Sequence, residues 1–251
     1  MNIFWVIQGH TKYVDVIVKN FAHVKNVIWC TEEDSPKEHL DIIKKSNIQL
    51  LTIKRSPDSY GRLLIHSNSA TAGIKEAKKQ NADYIIKLRS DLIFSDHEKF
   101  MKIMRFDNKI YGNAYVKHKG RFIEVPQVIA DTYAWLYQFR NKLYDFDSLN
   151  YITDWIHYGP TDELLLFYEN VFKDNLQASV ICEVRFITSY LLNKNLPLDF
   201  SYNALTKNIG LFMGDLYDNN ITMFSLKENY DYSRMWDSSY GLKAVPEAYL
   251  K

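Results

Sequence analysis

Apolar positions in the first hundred residues fall into two alternating kinds of segment. Short apolar runs at Ile3–Ile7, Val27–Cys30, Leu50–Ile53 and Tyr84–Leu88 have the length of β-strands. Between them the spacing becomes helical: Val14, Ile17, Val18 and Phe21 fall at i, i+3, i+4 and i+7 on one helix face. Ser35-Pro36-Lys37-Glu38 reads as a capping box with proline at the first helical position, leading into Leu40 and Ile43. Ala70, Ile74 and Ala77 mark a third helix, and Ser95-Asp96-His97-Glu98 reads as a second capping box, opening a helix just after the fourth strand. Strands alternating with helices in this way predict a parallel sheet with helices on its faces.

After about residue 105 the rhythm changes. Ile110–Ala114 and Phe122–Val128 predict strands joined by a hairpin through Lys117–Gly120. Pro160-Thr161-Asp162 predicts a helix start, Ile181–Leu192 a further helix, and the tail from Asn193 is irregular and aromatic. No repeat, low-complexity stretch or linker interrupts the chain. The expected organisation is one domain over 1–251, with an α/β front (1–105) and an α+β back (106–251).

Composition narrows the function classes. A chain of 251 residues with 47% hydrophobic content buries a substantial core. Its 31 Lys and Arg balance 30 Asp and Glu, which argues against a generalised polyanion-binding surface and hence against nucleic acid as partner. Cys30 and Cys182 both follow apolar residues and lack ligand spacing, so they read as buried thiols in a reducing, cytoplasmic setting. The opening Met1–Gly9 run is too short to span a bilayer and lacks leader-peptide features, so it reads as the first strand; peripheral membrane association is compatible with it. Aromatic content of 15% suits sugar-stacking surfaces and an aromatic core equally.

Chemistry concentrates at strand ends. In Asp83-Tyr84-Ile85-Ile86-Lys87-Leu88-Arg89-Ser90-Asp91, alternation puts Ile85, Lys87, Arg89 and Asp91 on one face. Three charged groups closing a central strand need partners or a ligand, and ligands of open α/β sheets bind at carboxyl strand ends. Two cations and a carboxylate suit a diphosphate, Lys87 and Arg89 neutralising its oxygens and Asp91 holding a bridging divalent ion; an internal salt-bridge network is the alternative. Gln8-Gly9-His10 closes the first strand at the same edge, where Gly9 admits close backbone approach and Gln8 suits a base or ribose. No glycine-rich phosphate loop occurs, which argues against dinucleotide dehydrogenases and P-loop enzymes.

Tyr60-Gly61-Arg62 and Ser67-Asn68-Ser69-Ala70-Thr71 precede and open the third helix, so Arg62, Asn68 and Thr71 join the candidate anion-binding set, with Ser67 as cap. Thr153–Asp162 packs two acids, a Trp, a His and a Tyr before a helix. Trp155 or Tyr158 is the candidate platform for an acceptor sugar, with Asp154 accepting hydroxyl hydrogen bonds; core packing is the alternative for the aromatics. Glu183 stands in an otherwise apolar stretch, either paired with a cation such as Arg185 or held for proton abstraction. The histidines show no metal-ligand spacing and read mostly as surface residues.

Together these segments resemble the WavE-type lipopolysaccharide synthesis family, bacterial proteins regarded as GT-A-like glycosyltransferases. The resemblance rests on Val6-Ile7-Gln8-Gly9, Lys87-Leu88-Arg89-Ser90-Asp91, Asp154-Trp155 with Gly159, and Glu183 heading a late helix, spread over about residues 3–195. It implies a GT-A-like, Rossmann-type mixed sheet flanked by helices, a nucleotide-sugar donor, and a glycan acceptor in lipopolysaccharide, lipooligosaccharide or capsule biosynthesis. Asp91 stands where GT-A enzymes keep the last acid of their Asp-x-Asp metal motif, while position 89 is Arg. Either Asp91 alone anchors Mg or Mn, or Arg89 and Lys87 replace part of the charge. In the expected mechanism the nucleotide lies near Gln8 and the Arg62–Thr71 segment, its diphosphate at Lys87, Arg89 and Asp91. The acceptor hydroxyl is held by Trp155 and, in an inverting reaction, deprotonated by Asp154 or Glu183. The alternatives are a sugar nucleotidyltransferase and a non-catalytic glycan-binding or assembly protein. Donor sugar, acceptor, stereochemistry and oligomeric state are not encoded in any feature of the sequence.

Overall fold

The computed structural model describes residues 1–55, 62–112, 115–118, 132, 135–139, 141, 149–152, 154–169, 181–211, 215, 218–226 and 243–244. In the front half, β1 (Ile3–Gln8), α1 (Val14–Asn20), β2 (Val27–Glu32), α2 (Lys37–Lys44), β3 (Gln49–Ile53), α3 (Arg62–Lys79) and β4 (Tyr84–Arg89) follow in order. The four strands run parallel in the spatial order β4-β1-β2-β3. β1 and β2 are apolar on both faces because helices cover both. The pleat sorts their side chains: Trp5, Ile7 and Trp29 meet Val14, Ile17 and Ile43 of α1 and α2, whereas Val6 and Ile28 meet Ala70 and Ile74 of α3. α3 lies so close to the sheet that a Cβ on Gly73 would stand 2.4 Å from Val6 Cγ1.

The chain continues through β5 (Leu92–Phe94), α4 (His97–Ile103), β6 (Ile110–Gly112), β7 (Tyr115–His118), β8 (Leu149–Ile152), β9 (Ile156–Pro160), α5 (Thr161–Tyr168), α6 (Cys182–Asn193), α7 (Tyr202–Asn208), β10 (Ile209–Leu211), β11 (Met223–Ser225) and β12 (Lys243–Ala244). β6, β9 and β10 extend the sheet to seven strands, ordered β10-β6-β9-β4-β1-β2-β3, with β9 antiparallel to both β4 and β6. Phe167 of α5 and Phe186 of α6 share the core on the α3 side, and Phe100 of α4 belongs to the opposite one. The architecture is a mixed α/β fold built on a mostly parallel seven-stranded sheet flanked by helices, consistent with a Rossmann-like fold. Among the described residues no helix is long and apolar enough to cross a membrane.

Several local expectations change. Both anticipated capping boxes fail. Pro36, not Ser35, caps α2, and the Ser35 hydroxyl instead pairs with Thr31 Oγ1 at 3.0 Å. Asp96 caps α4, accepting from the Lys99 N–H at 2.8 Å, while Ser95 Oγ accepts from the Thr222 N–H. β5 intervenes between β4 and α4. α3 begins at Arg62 rather than near Ser67, so Ser67 is a buried mid-helix residue whose hydroxyl donates to the Tyr168 carbonyl at 2.7 Å. Lys117 and His118 belong to β7, which pairs with β8, not to a turn; the expected strand at Phe122–Val128 lies outside the described residues. Cys182 is partly exposed rather than buried, whereas Cys30 is buried as expected.

Candidate active site

The site forms where β1, β2 and β4 end side by side. Gln8 and Arg89 are register partners across β1 and β4, and Gln8 faces Cys30 across β1 and β2. Past these ends the chain turns sharply. Gly9 sits at φ +128°, open to glycine and strained for other residues, and a Cβ there would lie 2.7 Å from Ser90 Oγ. A cavity of about 310 Å³ opens over this edge. Gln8, Gly9 and His10 line it from β1, Thr31 and Glu32 from β2, Arg89, Ser90 and Asp91 from β4, and Ile65, His66 and Ser69 of α3 roof it.

The antiparallel strand supplies the remaining acid. β9 starts where β4 stops, Leu88 facing Ile156, and the Arg89 N–H donates to the Trp155 carbonyl at 3.0 Å. Asp154, 65 positions from Arg89 in sequence, is thereby set beside the guanidinium. Arg89 holds Asp91 with two contacts, Nε to Oδ1 at 3.0 Å and Nη2 to Oδ2 at 2.5 Å, and Asp154 Oδ1 with Nη1 at 3.1 Å. His66 Nδ1 meets the other Asp154 oxygen at 2.7 Å. The result is a chain Asp91–Arg89–Asp154–His66 linking the strand ends to α3, in which Asp91, Arg89 and His66 line the cavity and Asp91 and Asp154 are each only 3% exposed.

Burial governs the protonation of this cluster. For Asp154 burial opposes ionisation, but Arg89, then His66 and Lys87, outweigh it and hold the carboxyl well below its ordinary value. Burial likewise disfavours the Arg89 charge, and Asp154 and Asp91 outweigh it, keeping the guanidinium firmly protonated. Lys87 is fully buried; its ammonium donates to the Asp154 carbonyl and lies 5.4 Å from the centre of the Tyr168 ring. Burial drops the Lys87 pKa to about 8, against the pull of Asp154.

Glu183 stands in the first turn of α6, and the Cys182 thiol donates to its Oε2 at 3.0 Å. Part of the residue remains exposed, yet its carboxyl is desolvated; burial and then the Asp154 charge push its pKa up to about 7. The Tyr168 hydroxyl and His157 Nδ1 are hydrogen-bonded to each other in the same buried region.

Of the residues singled out from sequence, Gln8, Gly9, Arg89 and Asp91 line the cavity together, and Asp154 is bonded to its Arg89 and His66. Lys87 and Glu183 do not line it. Asn68 is exposed and Thr71 half-buried on α3, neither at the cavity; Arg62 opens α3, and its side chain lies outside the described residues. Trp155 and Tyr158 are corrected to core residues, 6% and 1% exposed, because both faces of this central region are covered. Tyr158 stacks on Tyr111 at 4.8 Å and 9°, leaving no open ring face for a sugar. Among the described histidines, His10 and His23 are exposed, His39 and His66 half-buried, and His97 and His157 buried.

Sequence reasoning missed His66, Ser69, Thr31 and Glu32. For His66 the signal was present: it lies four residues before Ala70 and shares the buried face of α3. For Glu32 it was the position, a carboxylate closing the strand beside the Gln8 strand.

The residues at this edge do not fit a divalent metal ion. Both Asp91 oxygens are occupied as acceptors from Arg89, and no group of three His, Cys, Asp or Glu side chains that could hold a metal ion converges among the described residues. No protein-family model and no curated protein matches the chain.

Proposed function

We propose that this chain is a glycosyltransferase of the GT-A-like, WavE-type kind, moving a sugar from a nucleotide-sugar donor to a glycan acceptor in surface-polysaccharide synthesis at the cytoplasmic side of the membrane. The observation that carries this reading is the cavity at the carboxyl ends of three adjacent parallel strands, with the half-buried Arg89, its guanidinium held protonated, on its floor. Arg89 is held in place by two carboxylates, so its donors are pre-aimed, and charge developing on a departing diphosphate is stabilised there without reorganisation.

The two candidate acids take different roles. Asp154 has both oxygens engaged and a depressed pKa, which suits a positioning residue for Arg89 and not a base. Glu183, with its pKa near neutrality, is the acid suited to accept the proton of an acceptor hydroxyl. The cation needed by the phosphates is supplied by Arg89, and no step requires a metal.

The test is a thermal-shift panel with UDP, GDP, CDP and CMP, each with Mn and with chelator. A ligand that binds only the native state raises its melting temperature. A shift with one nucleotide, equal with Mn and with chelator and abolished in Arg89→Ala, is the expected result. No shift in protein shown to be folded would refute the reading, and a shift that requires Mn would refute its metal-free form.

A further inference from the structure

His66, Ala70, Ile74 and Ala77 recur at i, i+4, i+8 and i+11 on the face of α3 that packs on the sheet. The helix thereby carries the His66 imidazole to the edge where β1 and β4 end, and the ring lines the cavity there. Its two nitrogens have different surroundings. Nδ1 is buried 2.7 Å from Asp154 Oδ2, at an angle short of a straight hydrogen bond. The other Asp154 oxygen accepts from Arg89 Nη1 at 3.1 Å. One buried carboxylate therefore sets both a guanidinium and an imidazole at the rim of the same cavity. No described residue hydrogen-bonds His66 Nε2, which is left for a ligand. An acid behind one ring nitrogen fixes which nitrogen is left to exchange a proton, and such contacts often align only once the ligand is bound.

We propose that His66 is a catalytic residue of this site, the acid that gives its Nε2 proton to the departing phosphate. The proposal rests on the glycosyltransferase reading above and adds a residue to it. A phosphate seated on Arg89 is brought to His66 as well, since Asp154 ties the two side chains together. As the bond from the anomeric carbon to the phosphate oxygen breaks, its electron pair stays on that oxygen, which takes the Nε2 proton. The acceptor oxygen bonds to the anomeric carbon, and the acceptor's own proton passes to Glu183. Solvent then removes the proton from Glu183 and returns one to His66, so the cycle closes without a metal.

The test has a binding half and a catalytic half. The first uses protein labelled with nitrogen-labelled histidine, the His66 ring signals being assigned by their loss in His66→Gln. Whichever of UDP, GDP, CDP and CMP raises the melting temperature is added, and NMR is expected to show the His66 Nε2 signal move. The matching nucleoside, which has no phosphate, should leave that signal in place. The second half follows nucleotide release from sugar nucleotides of the same base. His66→Ala is expected to lose about 100-fold in kcat, and added imidazole to restore part of the loss. His66→Gln keeps an N–H group but exchanges no proton, and should be as slow as His66→Ala; it serves alone if His66→Ala does not fold. A nucleotide that binds without moving the His66 signal overturns the proposal and leaves the nucleotide reading standing. His66→Gln turning over as fast as the parent overturns it too. A defect in His66→Ala that imidazole leaves unchanged makes the ring structural, with the same consequence. Absence of any nucleotide binding removes both the proposal and the reading it rests on.

Discussion

Replacing Glu183 by glutamine should stabilise the protein in a way that depends on pH. Burial, and after it the Asp154 charge, push the carboxyl from its ordinary 4.5 to about 7. The folded state therefore binds this proton more tightly than the unfolded chain does. Stability falls as pH rises from 4.5 toward about 7, and the full penalty is present above that. At 1.36 kcal/mol per unit the shift corresponds to a ceiling of about 3 kcal/mol, and local relaxation around a buried acid brings the expected effect to about 1–3 kcal/mol. Glutamine has nearly the same shape, cannot ionise, and still accepts from the Cys182 thiol. Urea unfolding followed by tryptophan fluorescence at pH 5, 6, 7 and 8 gives the difference directly. Glu183→Gln should match the parent near pH 5 and exceed it by about 1–3 kcal/mol at pH 8. A difference that stays constant with pH, or a variant less stable at pH 8, would refute the protonation argument. If Glu183 is the base, the same variant should lose about 100-fold in kcat while gaining stability, a combination a purely structural residue does not give.

Two other substitutions test the frame around it. Asp154→Ala leaves Arg89 with one carboxylate and Lys87 near no buried countercharge of comparable reach; urea unfolding at pH 7 should show a loss of about 3–5 kcal/mol. An effect under about 0.5 kcal/mol would mean that the Asp91–Arg89–Asp154–His66 chain does not form in solution. Gly9→Ala places a Cβ 2.7 Å from Ser90 Oγ at a φ of +128°. It should lower stability by about 1–3 kcal/mol and weaken nucleotide binding, as read by unfolding and by calorimetry.

The parallel front half was legible because its pattern has a single physical cause. Strands covered on both faces become near-continuous apolar runs, and Ile3–Ile7 and Tyr84–Leu88, the latter broken by Lys87, are such runs ending in polar residues at one edge. From that alone Gln8, Arg89 and Asp91 could be placed together. The other half of the site depends on β9, whose Ile156-His157-Tyr158-Gly159-Pro160 has no apolar run to betray a central strand. Its antiparallel pairing with β4 is a tertiary choice that local pattern does not specify, and it alone carries Asp154 to Arg89. The same region decides between the two readings of Trp155 and Tyr158: aromatics beside acids suggest a sugar platform, but Tyr158 of β9 and the adjoining Trp155 are buried and serve as core. His66 was lost through one boundary error, since starting α3 near Ser67 removes the turn that carries it.

The groups around the cavity divide by what they do to stability. Arg89, Asp91 and Asp154 satisfy one another, with His66 Nδ1 close to Asp154, and such ion-paired sets are also found in proteins with no ligand to bind. Three other groups are unlike these. Lys87 is held where its charge is disfavoured down to a pKa of about 8, Glu183 where its charge is disfavoured up to about 7, and Gln8 Oε1 where it meets no donor among the described residues. Leucine or methionine at any of the three positions would remove a penalty that the free protein carries. Gln8 lines the cavity, Lys87 lies two positions before Arg89 on the same face of β4, and Glu183 stands on α6 within reach of the Asp154 charge, so these groups are candidates for a role other than folding. A ligand that donates to Gln8 and presents anionic charge to Arg89 would relieve part of that penalty. The bound protein should then gain stability where the free protein is weakest.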